Sequence, residues 1–222
     1  VALACPPLHL KWSPTHASAD PHVRFLHGVA PRQWAHAALI QHMLATLDPH
    51  CGRMAIVVPH GVLFRDGEEA RIRQAWLDAN LVETVIGLPD RLFAGAAVAT
   101  ALLLLRRARS DEEVLFIDAR PLAAPGQRGP RLGMQAARTL HTLCAERASV
   151  PGMAHLAGPD EITTNHGNLS IARYVRPAPA RPATDLATLR SRRAVLEASF
   201  AAVQRELNAE LEALERDFAD LA

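Results

Sequence analysis

The sequence predicts an α/β protein: a sheet of parallel strands flanked by helices, followed by a long helical arm. Three observations carry this. Short continuous apolar runs, Met54–Val58, Val82–Ile86 and Val98–Leu105, have the look of strands buried on both faces. Stretches of helical period lie before and between the early runs, which favours crossovers and a parallel sheet. The last part of the chain, Asp185–Leu221, contains neither glycine nor proline.

Val1–Ala4 reads as the end of a buried strand, stopped by Pro6-Pro7, which cannot donate to a sheet ladder. Lys11–Ala30 is rich in His, Pro, Ser and Asp and reads as a long loop. Pro31 suits a first helical turn. Ala37, Ile40, Met43, Leu44 and Leu47 then share a helical face. After the turn Asp48–Gly52 comes the strand Met54–Val58, broken by Pro59-His60-Gly61. Glu68–Asn80 is helical, with Ile72, Ala75, Trp76 and Ala79 on one face and Asn80 as a C-terminal cap. Val82–Ile86 ends at Gly87-Leu88-Pro89. Val98–Leu105 is apolar enough to sit centrally, and Glu113–Ile117 is a further strand. Asp118–Gly133 is a Pro/Gly/Arg loop, and Met134–Arg147 a helix.

Arg176–Thr184 is a proline-rich linker. Beyond it, Leu189, Leu196, Phe200, Val203, Leu207, Leu211, Leu214, Phe218 and Leu221 recur mostly every three or four residues. This is a long amphipathic helix, about 55 Å if unbroken, with a coiled-coil-like seam. The four-and-four spacing of Val203, Leu207 and Leu211 is a local slip in register. The expected organisation is a domain over 1–175, a linker over 176–184 and a partner-binding helix over 185–222. The chain starts at Val1 inside an apolar run, so an upstream part is expected.

Composition excludes several classes. Hydrophobic residues make up 49% and charged residues 21%, so a sizeable core is possible. A net charge of +1 is not the footprint of an autonomous nucleic-acid binder. Lys11 is the only lysine; the other basic residues are arginines. Three scattered cysteines, Cys5, Cys51 and Cys144, point to a reducing cytoplasm. No apolar run reaches the length of a membrane span. Eleven histidines form no pair four residues apart and no H-E-x-x-H, so no metal site is expected.

The opening motif, Cys5-Pro6-Pro7-Leu8, stands where open parallel sheets place their ligands. ALACPPLHLKW, GVAPRQWAHAALIQHML, GRMAIVVPHGVLFRDGEEARIR, LVETVIGLPDRLFAGAAVAT, EEVLFIDAR and NLSIARYV follow one another in order. Together they resemble the modification (HsdM) subunit of type I restriction-modification systems, a DNA adenine-N6 methyltransferase, over roughly Val1–Val175. The resemblance implies a partial doubly wound, Rossmann-like, S-adenosylmethionine-dependent methyltransferase sheet with a C-terminal helical arm.

In that family the motif reads Asn-Pro-Pro-Phe. The resemblance implies that a flipped adenine donates its amine to the Asn oxygen and a proline-region carbonyl, while the aromatic ring stacks on the base. Here Cys5 replaces Asn, and a thiol is a weak acceptor. Leu8 replaces Phe and offers no aromatic face. Gly95–Thr100 and Ala35–Leu39 also depart from the family pattern. The glycine-rich cofactor motif is absent, and no G-x-G occurs in the chain. We therefore expect this chain alone to bind no S-adenosylmethionine and to be inactive. The alternative is a catalytically silent scaffold.

Lys11, Arg24 and Arg32 flank the motif and are candidate phosphate contacts; a solvated loop face explains them equally well. The Arg120, Arg128 and Arg131 loop stands the same way. Trp12 and Trp34 could line a base pocket, with core packing favoured for Trp34. Asn168 and Tyr174 read as structural. For the arm, the resemblance implies a specificity (HsdS-like) subunit as partner through Val203, Leu207, Leu211, Leu214 and Phe218, with DNA in the assembled complex.

Overall fold

A computed structural model describes residues 1–93, 98–127, 129–176 and 185–219, with the side chains of the last helix from Ala187 through Glu212. The chain divides into two units, Val1–Ala178 and Pro179–Ala222. The expected linker lies, apart from Arg176, outside the described residues.

The first unit is built on six strands: β1 (Ala2–Ala4), β2 (Arg53–Pro59), β3 (Val82–Gly87), β4 (Thr100–Arg106), β5 (Val114–Asp118) and β6 (Ala154–Ala157). Their order across the sheet is β1-β2-β4-β3-β5-β6. β1, β2, β3 and β5 run one way, while β4 and β6 run the other. The expectation of a parallel sheet is thus corrected to a mixed one. The link from β2 to β3 contains two helices, α2 (Gly61–Phe64) and α3 (Glu68–Asp78), and this crossover leaves a slot beside β2. Among the described residues no helix separates β3 from β4, and β4 returns to fill the slot antiparallel to both neighbours. Its expected central position holds.

The sheet is covered on both faces, and side-chain alternation sorts the two cores. Met54, Ile56 and Val58 of β2, Leu103 and Leu105 of β4, and Val114 and Phe116 of β5 face one way. There they meet Ile40 and Leu44 of α1 (His36–Thr46), Ile72 and Trp76 of α3, and Ile171 and Tyr174 of α6 (Ile171–Tyr174). Val57, Leu102, Leu104, Leu115 and Ile117 face the other way, toward Leu140 and Leu143 of α4 (Met134–Glu146). Trp76, Phe116, Ile40 and Ile56 are among the largest fully buried side chains.

β1 stands at the end of the strand order, with Ala2 and Ala4 packed against the core and Leu3 78% exposed. One further expectation is corrected. The helix expected from Pro31 starts five residues later. The Pro31 carbonyl accepts bonds from the Trp12 ring Nε1–H (3.0 Å) and the Trp34 N–H (3.1 Å), holding Pro31–Trp34 as a turn. Asn80 takes a left-handed φ of 47° just past α3, as a C-terminal cap requires. α5 (Pro159–Thr164) completes the unit.

The second unit is α7 (Leu186–Ala219), 34 residues without a break. Leu189, Leu196, Phe200, Val203, Leu207 and Leu211 are all exposed. Among the described residues no helix is long and apolar enough to cross a membrane.

Candidate functional site

The parallel strands end on one edge, which collects the polar groups of interest. After β1 come Cys5, Pro6, Pro7 and Leu8. After β2 comes His60, after β3 Pro89-Asp90, and β5 closes on Asp118. β4 begins on this edge at Thr100, buried at 2% exposure.

Cys5 is exposed and free. Leu8 is half-buried and packs on the cluster of Val57, Ile86 and Leu115, so its apolar surface is already engaged. Beneath the turn lies His36, the first residue of α1, with no solvent exposure. Neither of its ring nitrogens has a hydrogen-bond partner of good geometry among the described residues. Burial drives its pKa down to about 4, and the nearby Arg65 cation adds to this. The Pro7 carbonyl pulls the other way, so the ring lies against the backbone of the motif.

Arg65 connects this ring to its surroundings. Its guanidinium lies 3.7 Å from the centroid of the Trp34 ring and bonds Glu69 at 3.4 Å. Glu69 is buried, its carboxyl pushed up by desolvation despite Arg65. Arg73 is buried beside it and donates to three carbonyls: Gly167 (2.8 Å), Arg65 (3.0 Å) and Val62 (3.3 Å). Trp34, half-buried, thus carries a cation on one ring face.

Farther along the edge, His60 is held by its backbone N–H to the Ala99 carbonyl (3.0 Å). Its Nε2 is buried without a partner among the described residues, and burial lowers its pKa. Asp118, 5% exposed at its side chain, receives Arg120 in a fork of 2.9 and 2.7 Å. Residue-type reasoning missed His36, His60 and this fork. The signal was a polar residue standing directly after an apolar run, as in Val-Pro-His and Phe-Ile-Asp.

The candidate phosphate contacts separate. Backbone bonds from Trp12 to Arg32 (3.2 Å) and from Ala35 to Leu10 (3.1 Å) bring Lys11 and Arg32 to neighbouring exposed positions. Arg24 is engaged elsewhere. It forks onto Asp20 at 2.5 and 3.0 Å, and this bond holds the Asp20 carboxyl well below its usual range. Trp12 leans on Phe25 at 5.2 Å, beside a cleft of about 420 Å³ that Asp20 and Arg24 also line. Arg128 lies outside the described residues, and Arg131 pairs its backbone with Ala124. Tyr174 is structural: its hydroxyl donates to the Asn168 carbonyl at 2.7 Å, and its ring stacks on Phe116 at 3.7 Å. No group of three or more metal-ligating side chains occurs among the described residues.

The N-6 DNA methylase family model matches residues 1–182. The chain belongs to the N-6 DNA methylase family. It is 26% identical over 193 residues to the type I restriction enzyme MpnII methylase subunit of Mycoplasma pneumoniae, covering 85% of this chain and 35% of that one. It is 33% identical over 114 residues to the HindI methylase subunit of Haemophilus influenzae, covering 50% and 25%. Among solved structures, the type I methyltransferase subunit of Streptococcus thermophilus superposes with a TM-score of 0.74 at 35% identity, covering 78% of this chain and 37% of that one. A structure from work on type I restriction-modification complex assembly covers 95% of this chain and 44% of the other, with a TM-score of 0.61 at 19% identity, which shows the fold. The chain spans about a quarter to a third of the length of the curated relatives it matches.

Among the described residues, the glycines at the carboxyl edge of the strands leave no open cradle for S-adenosylmethionine. The described glycines at that edge, Gly61 and Gly87, are both covered by the protein's own side chains. A Cβ on Gly61 would meet the Arg65 guanidinium at 2.3 Å, and one on Gly87 would meet Ile171 at 3.3 Å.

Proposed function

We propose that this chain is the C-terminal portion of a cytoplasmic type I DNA adenine-N6 methylase that uses S-adenosylmethionine and assembles with a specificity subunit on DNA. The observation that carries the reading is the family match through residue 182, with Cys5-Pro6-Pro7-Leu8 at the carboxyl edge of the sheet. Pro6-Pro7 keeps the backbone carbonyls rigid at the target-base position. Lys11 and Arg32 supply a small exposed basic face for the DNA backbone. α7 supplies the partner surface. Support for assembly comes from the structural neighbour studied for complex assembly, whose likeness extends over 95% of this chain.

A second reading, a catalytically silent assembly scaffold, is favoured by Cys5 and Leu8. One experiment decides between them. The chain is joined behind the corresponding amino-terminal portion of the Streptococcus thermophilus subunit, and methyl transfer to adenine is measured with a specificity subunit. The double substitution Cys5→Asn, Leu8→Phe should raise the rate by about 100–1000-fold, the size of one lost transition-state hydrogen bond. Equal rates in the two proteins would show that Cys5 and Leu8 suffice for catalysis. For the arm, Leu207→Asp, Leu211→Asp and Leu214→Asp together should abolish co-purification with the specificity subunit while the first unit stays folded. Retention of that subunit would remove the arm from the interface.

A further inference from the structure

We propose that α7 is also a self-association surface: two copies pair antiparallel about a two-fold axis between Ala201 and Ala202. In an antiparallel pair every core layer obeys one register, and the seam of α7 satisfies it with itself. Phe200 meets Val203 of the second copy, and Leu196 meets Leu207. The same register sets Arg193 opposite Glu210. These two are the charged residues that interrupt the seam between Leu189 and Leu214. A parallel, in-register pair would instead stack Arg193 on Arg193 and Glu210 on Glu210.

The geometry of the helix agrees. The axis falls within about one residue of the midpoint of Leu186–Ala219, so nearly the whole helix, about 50 Å at 1.5 Å per residue, pairs with its copy. Leu189, Leu196 and Phe200 border a shallow apolar hollow with Arg193 and Glu197 on its rim, suited to a side chain from a second helix. In the single chain the Arg193 Nε bonds Glu197 at 2.7 Å; both side chains are mostly exposed, and this i,i+4 contact is weak enough to be shared. The occupant is a second copy because the complementarity lies within one sequence: Arg190, Arg192 and Arg193 toward one end, Glu206, Glu210 and Glu212 toward the other. Leu207 belongs both to this seam and to the face proposed above for the specificity subunit, so that subunit and a second copy compete for it.

The test is sedimentation equilibrium on the 222-residue chain at micromolar concentrations, with neither specificity subunit nor DNA present, so that its outcome is separate from the assembly reading above. The expected species is a reversible dimer near twice 24.1 kDa. Arg193→Glu alone and Glu210→Arg alone each place like charges together twice per dimer, and each should weaken it about tenfold. The double exchange restores the pairing and the affinity. Phe200→Asp, at the central layer, abolishes the dimer while circular dichroism and the melting of the first unit stay unchanged. A monomeric wild-type chain overturns the proposal. So does a dimer that survives Phe200→Asp, a double exchange no tighter than the single ones, or a dimer that forms only when a specificity subunit is added.

Discussion

His36 shows how one side chain links burial to pH. Its folded pKa of about 4 lies below the ordinary value of 6.5, so the unfolded chain binds more protons between these two values. Stability contributed by the neutral ring is therefore complete above about pH 6.5 and is lost as pH falls toward 4. Glu69 works the other way, since its carboxyl is pushed up by burial, so the informative quantity is a difference. Urea unfolding at pH 7 and pH 4.5 should show His36→Leu losing about 2 kcal/mol less than wild type between the two. Parallel losses would place the acid sensitivity elsewhere. None of this was legible in the sequence. His36 stands among alanines in Ala-His-Ala-Ala, and nothing local says that both ring nitrogens lie buried under Pro7. The Cys5 and Leu8 substitutions, by contrast, were readable because a rigid Pro-Pro pair marks the spot.

Among the elements, α6 has only four residues and does much for its size. Ile171 covers Gly87, and Tyr174 stacks on Phe116 while its hydroxyl reaches Asn168. Burial pushes that hydroxyl up to about 12, so it donates its hydrogen across the whole working range. Tyr174→Phe should cost about 1 kcal/mol, the net value of one hydrogen bond. Tyr174→Ala should cost about 3–5 kcal/mol, the range for emptying a large aromatic site. Denaturant titrations of both variants check this, and equal costs would mean that the ring contributes nothing beyond its hydroxyl. Elements with long apolar runs or clean helical period were legible: β2, β3, β4, α3, α4 and α7. β6, α5 and α6 were not. Their four to six residues are too few for a period to declare itself. The direction of β4 was hidden as well, because a strand buried on both faces reads the same both ways.

For the whole molecule, the first unit has a two-faced core, and its described glycines at the strand ends, Gly61 and Gly87, are covered by side chains. Calorimetric titration with S-adenosylmethionine should give no saturable binding to residues 1–222. Tight binding would mean that the polar groups at the strand ends, His60 and Asp118 among them, form a pocket without the glycine-rich turn. The same test on the joined protein should show binding, since the cofactor glycines are then present.

The place of β4 has a consequence in time. Synthesis delivers β2 and β3 before the strand that joins them, and β4 must then pair with β2 residues about 40 to 50 positions earlier in the chain. Until Arg106 has emerged, two apolar strands face each other across a vacancy, each with an unpaired edge. A nascent chain halted in the loop before Thr100 is in this state and open to any other extended peptide. The last strand to enter the centre is thus the one that commits the chain to a single sheet.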